Sequence, residues 1–381
     1  MKPQRFLVFD HNIHEFWQNR ILDRAYMSQF PGATALTDLA EAAQKAGYEV
    51  MTADVFLSRP TPYRLGLVLT EIGSQHTDEL FRRGLIPAVC TCAESPIIAY
   101  DFYHDLARCA GRYKHAFLYG GAGDRLRGTG TCFHPFFWPN QSRKVLAGRP
   151  WLERRFLVLI NSNKRAFQFK LGPINPRHPR SSLVAVYHYL RNLSTRYFDP
   201  WMRSDLYLER LRAIEYFSRD PHFDLYGLGW DNPVQGVGPS FQRRLLEALR
   251  GCYRGRIPGR IESKLGVLQD YKFAVCFENT VFPGYITEKI FDCFLAGCIP
   301  IYYGAPDITD HVSGETFIDF RDFRSYDDLE KYLLKMSESE AKRYLEAAAD
   351  FLASESFDRF HVSEFIRRMM AAFDDVVARY V

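Results

Sequence analysis

At 381 residues, 47% hydrophobic and 25% charged, the chain exceeds one ordinary domain and has the apolar content for two cores. Its 49 basic and 45 acidic residues leave a net charge of +4. That balance gives no argument for nucleic-acid binding, and the composition excludes a disordered or fibrous chain.

Eight cysteines, at 90, 92, 109, 132, 252, 276, 293 and 298, include no Cys-x-x-Cys pair of the kind a structural zinc or thioredoxin-like site uses. They read as free thiols in a reducing compartment. No run approaches the ~18 apolar residues of a membrane-crossing helix, and the apolar stretch behind Met1 is too short for a signal sequence. The expectation is a soluble or peripheral, cytoplasmic protein. The glycosylation triplets at Asn140 and Asn192 carry no weight in that setting.

Along the chain, residues 5–9 read as a buried strand and 33–46 as a helix ended by Gly47. Strands follow at 48–52, 65–70 and 86–92, the last running through Glu94-Ser95-Pro96 into a helix over 97–109. Repeated strands with room for helices point to a parallel α/β sheet, in which ligands bind beyond the strand ends. Residues 120–150, rich in Gly, Pro and Arg, read as a loop holding the aromatic patch 133–139.

A second α/β block begins near Trp151. A strand at 155–160 ends on Asn161-Ser162-Asn163, and 165–205 has mixed helical and turn signals. A helix over 206–219, a strand at 223–227, a strand at 273–277, a helix over 287–296 and a strand at 299–303 complete the block. The division expected is 1–150, 151–345 and C-terminal helices over 346–381. Residues 362–381 are amphipathic, so that segment either packs on the protein or contacts a membrane surface.

The segment richest in chemistry runs from Phe277-Glu278-Asn279-Thr280 through Pro283-Gly284 to Tyr285-Ile286-Thr287-Glu288-Lys289. It reads as a strand end, a turn, and a helix with Thr287 as N-cap and Gly297 as terminator. Lys289 lies in the first helical turn, where a cation opposes the helix dipole and needs an anion. That anion is either a phosphate held by the helix N-terminus or a nearby acid paired with a solvent-facing lysine.

This segment resembles the donor-binding motif of the family 10 glycosyltransferases, the α1,3-fucosyltransferases, in their bacterial form. There Phe-Glu-Asn-[Ser/Thr] and Tyr-[Val/Ile]-Thr-Glu-Lys are separated by a short loop, and residues 299–306 and 316–318 are similar to the family's continuation. The resemblance implies a GT-B-like α/β fold, two Rossmann-like domains facing across a cleft, with 1–150 on the acceptor side and 151–345 binding a nucleotide sugar. It implies transfer of fucose from GDP-fucose, with inversion and without a metal or other cofactor, to a hydroxyl of an oligosaccharide or lipid-linked glycan, in α1,3 linkage to a GlcNAc or Glc type sugar. Alternatives are another GDP-sugar, or a glycan-binding protein on the same scaffold.

By that resemblance Lys289 pairs with the diphosphate and Glu288 accepts from the ribose hydroxyls. Asn279 and Tyr285 line the donor site, and Glu278 either lines it or holds the loop. Arg210 is the second cation, with Arg212 as its competitor, and Ser162 and Asn163 line the same site. Glu94 is the catalytic base; a helix cap is its bland role, and Asp101 and His104 are the reserves. Some bacterial members place the base two positions earlier, where this chain has Cys92.

Overall fold

The computed structural model describes residues 5–59, 64–163, 205–234, 237–255 and 262–380. All of the 165–205 insert except its last residue lies outside them. The first sheet contains β1 (Arg5–His11), β2 (Tyr48–Thr52), β3 (Leu65–Glu71), β4 (Ile86–Thr91), β5 (His115–Leu118) and β6 (Cys132–Pro135). All pairs are parallel, in the order β2-β1-β3-β4-β5-β6. Six of the seven residues of β1 are buried, the near-continuous apolar run of a strand covered on both faces.

The second sheet is also parallel, in the order β11-β10-β9-β7-β8, formed by β7 (Arg155–Ile160), β8 (Phe223–Tyr226), β9 (Tyr271–Phe277), β10 (Ile299–Tyr303) and β11 (Ile318–Asp319). Strand order reverses beside β1 in the first sheet and beside β7 in the second. Those reversals open crevices at the carboxyl ends of the strands, where an α/β fold takes its ligand.

Several local expectations change. The 97–109 helix breaks into Tyr100–His104 and Leu106–Cys109 at Asp105, whose φ of −113° and ψ of 45° are not helical. Strand β6 emerges from the 120–150 stretch read as a loop, and β5 lies just before it; each has only four residues. Helices Ala53–Ser58, Pro239–Cys252 and Glu262–Gln269 were not anticipated. In the second of these, Pro239 opens the helix and Leu245, Leu249 and Cys252 supply its buried face.

The C-terminal helices divide between the two units. Helix Glu338–Ala353 starts on a Ser337/Glu340 capping box and packs Ala348, Phe351 and Leu352 against the second unit. The chain then crosses to the first unit, where Asn140 bonds Phe360 and Val362 through its backbone. Helix Val362–Ala378 buries Phe365, Met369, Phe373, Val376 and Val377 in the core that holds Leu39, Tyr48 and Ala116. The face that could have met a membrane is therefore covered by this protein. No helix among the described residues is long and apolar enough to cross a membrane.

Candidate active site

A cleft of about 1560 Å³ lies between the sheets, lined from the first unit by strand-end residues including His11, Glu71, Thr91 and Glu94. From the second it is lined by Asn161, Ser162, Asn279, Tyr285, Thr287, Glu288 and Lys289, with Lys264 from the Glu262–Gln269 helix.

The donor-side floor is built around Glu278, fully buried just past β9. Its carboxylate accepts from the Thr287 amide (2.8 Å), the Thr287 hydroxyl (3.0 and 2.9 Å) and Lys289 Nζ (2.8 Å). Gly304 makes the room, since a Cβ there would lie 2.5 Å from Glu278 Cγ. Glu278 thus serves the structural alternative and does not line the cleft.

Thr287 occupies the N-cap position of helix Glu288–Ala296, but its side chain does not cap. The hydroxyl is engaged by Glu278 and by Lys289 Nζ, 2.8 Å away. At the other end Gly297, at φ 64°, closes the helix in the left-handed conformation.

Lys289 already has an anion, but it is not the solvent-facing lysine of the bland alternative. Two of its three donors go to Glu278 and Thr287, and the ammonium borders the cleft, with its side chain 25% exposed. Burial works to lower its pKa, yet the Glu278 and Glu288 carboxylates outweigh this and hold it above the ordinary lysine value. Glu288 is the converse. Burial pushes its carboxyl up, but Lys289 and Lys264 prevail and keep it below the usual range.

Removing either partner of a buried pair costs about 3–5 kcal/mol. Glu278→Gln should therefore produce a marked fall in thermal midpoint in a melting curve, together with weaker GDP binding as Lys289 loses its anchor. A midpoint within a degree of wild type would show that this carboxylate does not organise the floor.

The loop before this helix joins the two units. Phe282 and Tyr285 are buried in the first unit's core, and Gly121 donates to the Pro283 carbonyl (3.1 Å). At φ 73°, Gly284 packs where a Cβ would meet the Gly120 nitrogen at 2.8 Å, so only glycine fits. Tyr285 accepts from Asn279 Nδ2 (3.2 Å), placing both expected residues at the cleft.

Arg210 is placed differently from the expectation. Its side chain is inside, the residue 3% exposed, with Nε and Nη2 donating to the Phe277 carbonyl (3.2 and 2.8 Å) and Nη2 to Asn279 Oδ1 (2.9 Å). It lines a small hollow behind the cleft and holds Asn279 in position. Arg212 pairs with Glu209 at the surface, which removes it as a competitor. The second cation at the cleft is Lys264, which lies 2.5 Å from Asp292 and 3.9 Å from Glu288. Ser162 reaches the cleft, whereas Asn163 donates to the Gly229 and Asn232 carbonyls (2.9 and 3.1 Å) and fixes a neighbouring loop.

Across the cleft, Glu94 is exposed beyond the end of β4. It caps no helix, because the next one begins at Tyr100 with Ala99 at its N-cap. Asp101 also lines the cleft; His104 does not and instead contacts the Tyr100 hydroxyl at 2.7 Å. Cys92 is wholly buried, and burial drives its thiol pKa well up, so it stays protonated and is no base.

Glu71, which the sequence reading missed, accepts from the Ala93 amide (2.9 Å) and the Thr91 hydroxyl just below Glu94. Burial raises its pKa. His11, also missed, is 8% exposed at the cleft and its pKa is lowered to about 4 by burial, leaving a neutral ring at pH 7.

Residues 247–359, which carry the Glu278–Lys289 floor, match the family model described as glycosyltransferase family 10 (fucosyltransferase) C-term. Residues 247–359 are a glycosyltransferase family 10 segment. The chain is 36% identical over 83 residues to the alpha-(1,3)-fucosyltransferase FucT of Helicobacter pylori, covering 22% of this chain and 17% of that one. It is 33% identical over 109 residues to alpha-(1,3)-fucosyltransferase B of Drosophila melanogaster, covering 28% and 24%. The aligned region thus spans less than a quarter of either relative. Among solved structures, sucrose-phosphate synthase from Thermosynechococcus elongatus superposes with a TM-score of 0.55 at 10% identity, over 99% of this chain and 100% of that one. That likeness concerns the fold, which is GT-B: two Rossmann-like units facing across a cleft.

Proposed function

We propose that this chain is an inverting, metal-independent fucosyltransferase. It moves fucose from GDP-fucose to a hydroxyl of a glycan acceptor, in α1,3 linkage to a GlcNAc or Glc type sugar. The observation that carries the proposal is Lys289, fastened to Glu278 at a helix N-terminus and facing a cleft whose opposite wall presents Glu94.

In this reading the diphosphate lies against the N-terminus of helix Glu288–Ala296, where the free amides and the Lys289 ammonium meet its charge. Glu288, kept ionised by Lys289 and Lys264, accepts from the ribose hydroxyls. Glu94 takes the proton of the acceptor hydroxyl as that oxygen attacks the anomeric carbon from the face opposite the leaving group. The bond from the anomeric carbon to the phosphate oxygen breaks, and the growing charge on GDP is met by Lys289. Arg210 acts by holding Asn279.

Metal independence in this reading rests on Lys289 and the helix N-terminus meeting the charge of the diphosphate. On the acceptor side Phe16, Phe30 and Trp138 line the cleft. The presence of Glu94, Glu288 and Lys289 together disfavours a purely glycan-binding protein.

The proposal is tested by incubating the protein with GDP-fucose and a β-galactosyl-GlcNAc acceptor in excess EDTA. The anomeric configuration of the product is then read by NMR. Transfer with inversion is expected; a product that retains the donor's configuration, or activity that returns only with added divalent metal, would refute it.

A further inference from the structure

We propose that His115, Cys132 and His134 form a binding site for a zinc-type divalent cation at the β5–β6 edge of the first sheet, beside helix Val362–Ala378. His115 is the first residue of β5 and Cys132 the first of β6. The cleft, by contrast, is lined by His11, Glu71 and Thr91, the last residues of β1, β3 and β4. His134 is level with Thr91 through Phe117, but the set lies on the outer β5–β6 edge and none of its three residues lines the cleft.

The sheet register brings the three side chains together. Cys132 and His134 are two residues apart on β6 and so point to the same face. The parallel pairing places His115 opposite Cys132, and Phe117 opposite His134. All three ligand atoms lie within 4.8 Å of one another, and His115 Nδ1 is 3.0 Å from His134 Nε2. Tetrahedral zinc with bonds of about 2.0–2.1 Å to imidazole needs a nitrogen separation of roughly 3.3 Å, so a small opening of the pair admits the ion.

Two further contacts orient the rings as a metal site would. The other nitrogen of His115, Nε2, lies 3.0 Å from Asp375 Oδ2 on helix Val362–Ala378. A proton held there leaves Nδ1 as a lone pair facing the site, the carboxylate–histidine–metal arrangement. Phe117 stacks on His134 at 4.5 Å and 14°, fixing that ring's plane. Cys132 is exposed, so it supplies the thiolate and leaves the fourth coordination position to water. Binding releases the thiol proton to solvent. Through His115 and Asp375 the ion ties the short edge strand β6 to the helix that crosses over from the second unit.

The test uses the full chain, stripped with EDTA and free of any purification tag. It is titrated with Zn(II) by calorimetry and with Co(II) by absorbance. One ion per chain is expected, with a thiolate-to-cobalt charge-transfer band and the visible bands of tetrahedral Co(II). Cys132→Ser should abolish the charge-transfer band and weaken Zn(II) binding at least about tenfold, and Asp375→Asn should weaken it about 10–100-fold. Zn(II) should raise the thermal midpoint of the wild type in a concentration-dependent way and leave GDP binding unchanged. Far-UV dichroism in EDTA checks that each variant is folded. Absence of saturable Zn(II) binding below millimolar concentration in the wild type would overturn the proposal, and so would wild-type affinity in folded Cys132→Ser or His134→Ala.

Discussion

Lys289→Ala is expected to lower the transfer rate by about 10²–10³-fold, the size of effect seen when one group stabilising a developing negative charge is removed. It should also weaken GDP binding at least about tenfold in calorimetry. Both follow from one geometry: the ammonium stands at the start of helix Glu288–Ala296, between the buried Glu278 and the cleft. The substitution also leaves Glu278 without its ion-pair partner, so some loss of stability accompanies it. Glu278→Gln separates the two effects, because it disturbs the same pair while keeping the ammonium. If Lys289 meets the diphosphate, Lys289→Ala loses more GDP affinity than Glu278→Gln at temperatures where both are folded. Equal losses would assign Lys289 a purely structural part.

Glu94→Gln should show the complementary profile. Transfer falls by about 10²–10⁴-fold, the usual contribution of a positioned base, while GDP affinity and thermal midpoint stay at wild-type values. The separation is expected because Glu94 sits on the first unit, exposed beyond β4, whereas the donor contacts come from the second. Asp101→Asn, from the same wall, is the control and should change the rate little. A Glu94→Gln enzyme of undiminished rate would move the base elsewhere, and the raised pKa of Glu71 directly beneath makes that carboxyl the next to examine.

Much of the fold was legible because parallel strands buried on both faces leave dense apolar runs, as at 5–11, 65–71 and 271–277. The donor floor was legible because Gly297 follows helix-stop chemistry and Lys289, a cation set against the dipole of its own first turn, calls for an anion. The role of Arg210 came from the resemblance alone, and a motif does not show that the guanidinium is held by the Phe277 carbonyl. Glu278 posed the same ambiguity, and the void left by Gly304 resolved it. Glu71 and Lys264 carry no local motif, so only the folding together of distant strand ends and a helix reveals them. The His115, Cys132 and His134 set was invisible to a search for Cys-x-x-Cys because the pairing of β5 with β6, seventeen residues apart in sequence, creates it.

The C-terminal helix shows how far amphipathicity alone can lead. Its apolar stripe favoured a core and left a membrane surface open, and its burial in the first unit's core decides for the core. Because that helix spans back to the first unit, it and the Phe282–Tyr285 loop hold the cleft walls in register.

The most direct measurement of the central claim is a donor screen on the EDTA-treated protein. GDP-fucose, GDP-mannose and UDP-sugars are compared for transfer or hydrolysis, with calorimetry of GDP and UDP alongside. The account predicts turnover of GDP-fucose above all the others and binding of GDP in preference to UDP. Preference for a UDP-sugar, or no measurable GDP binding, would contradict it.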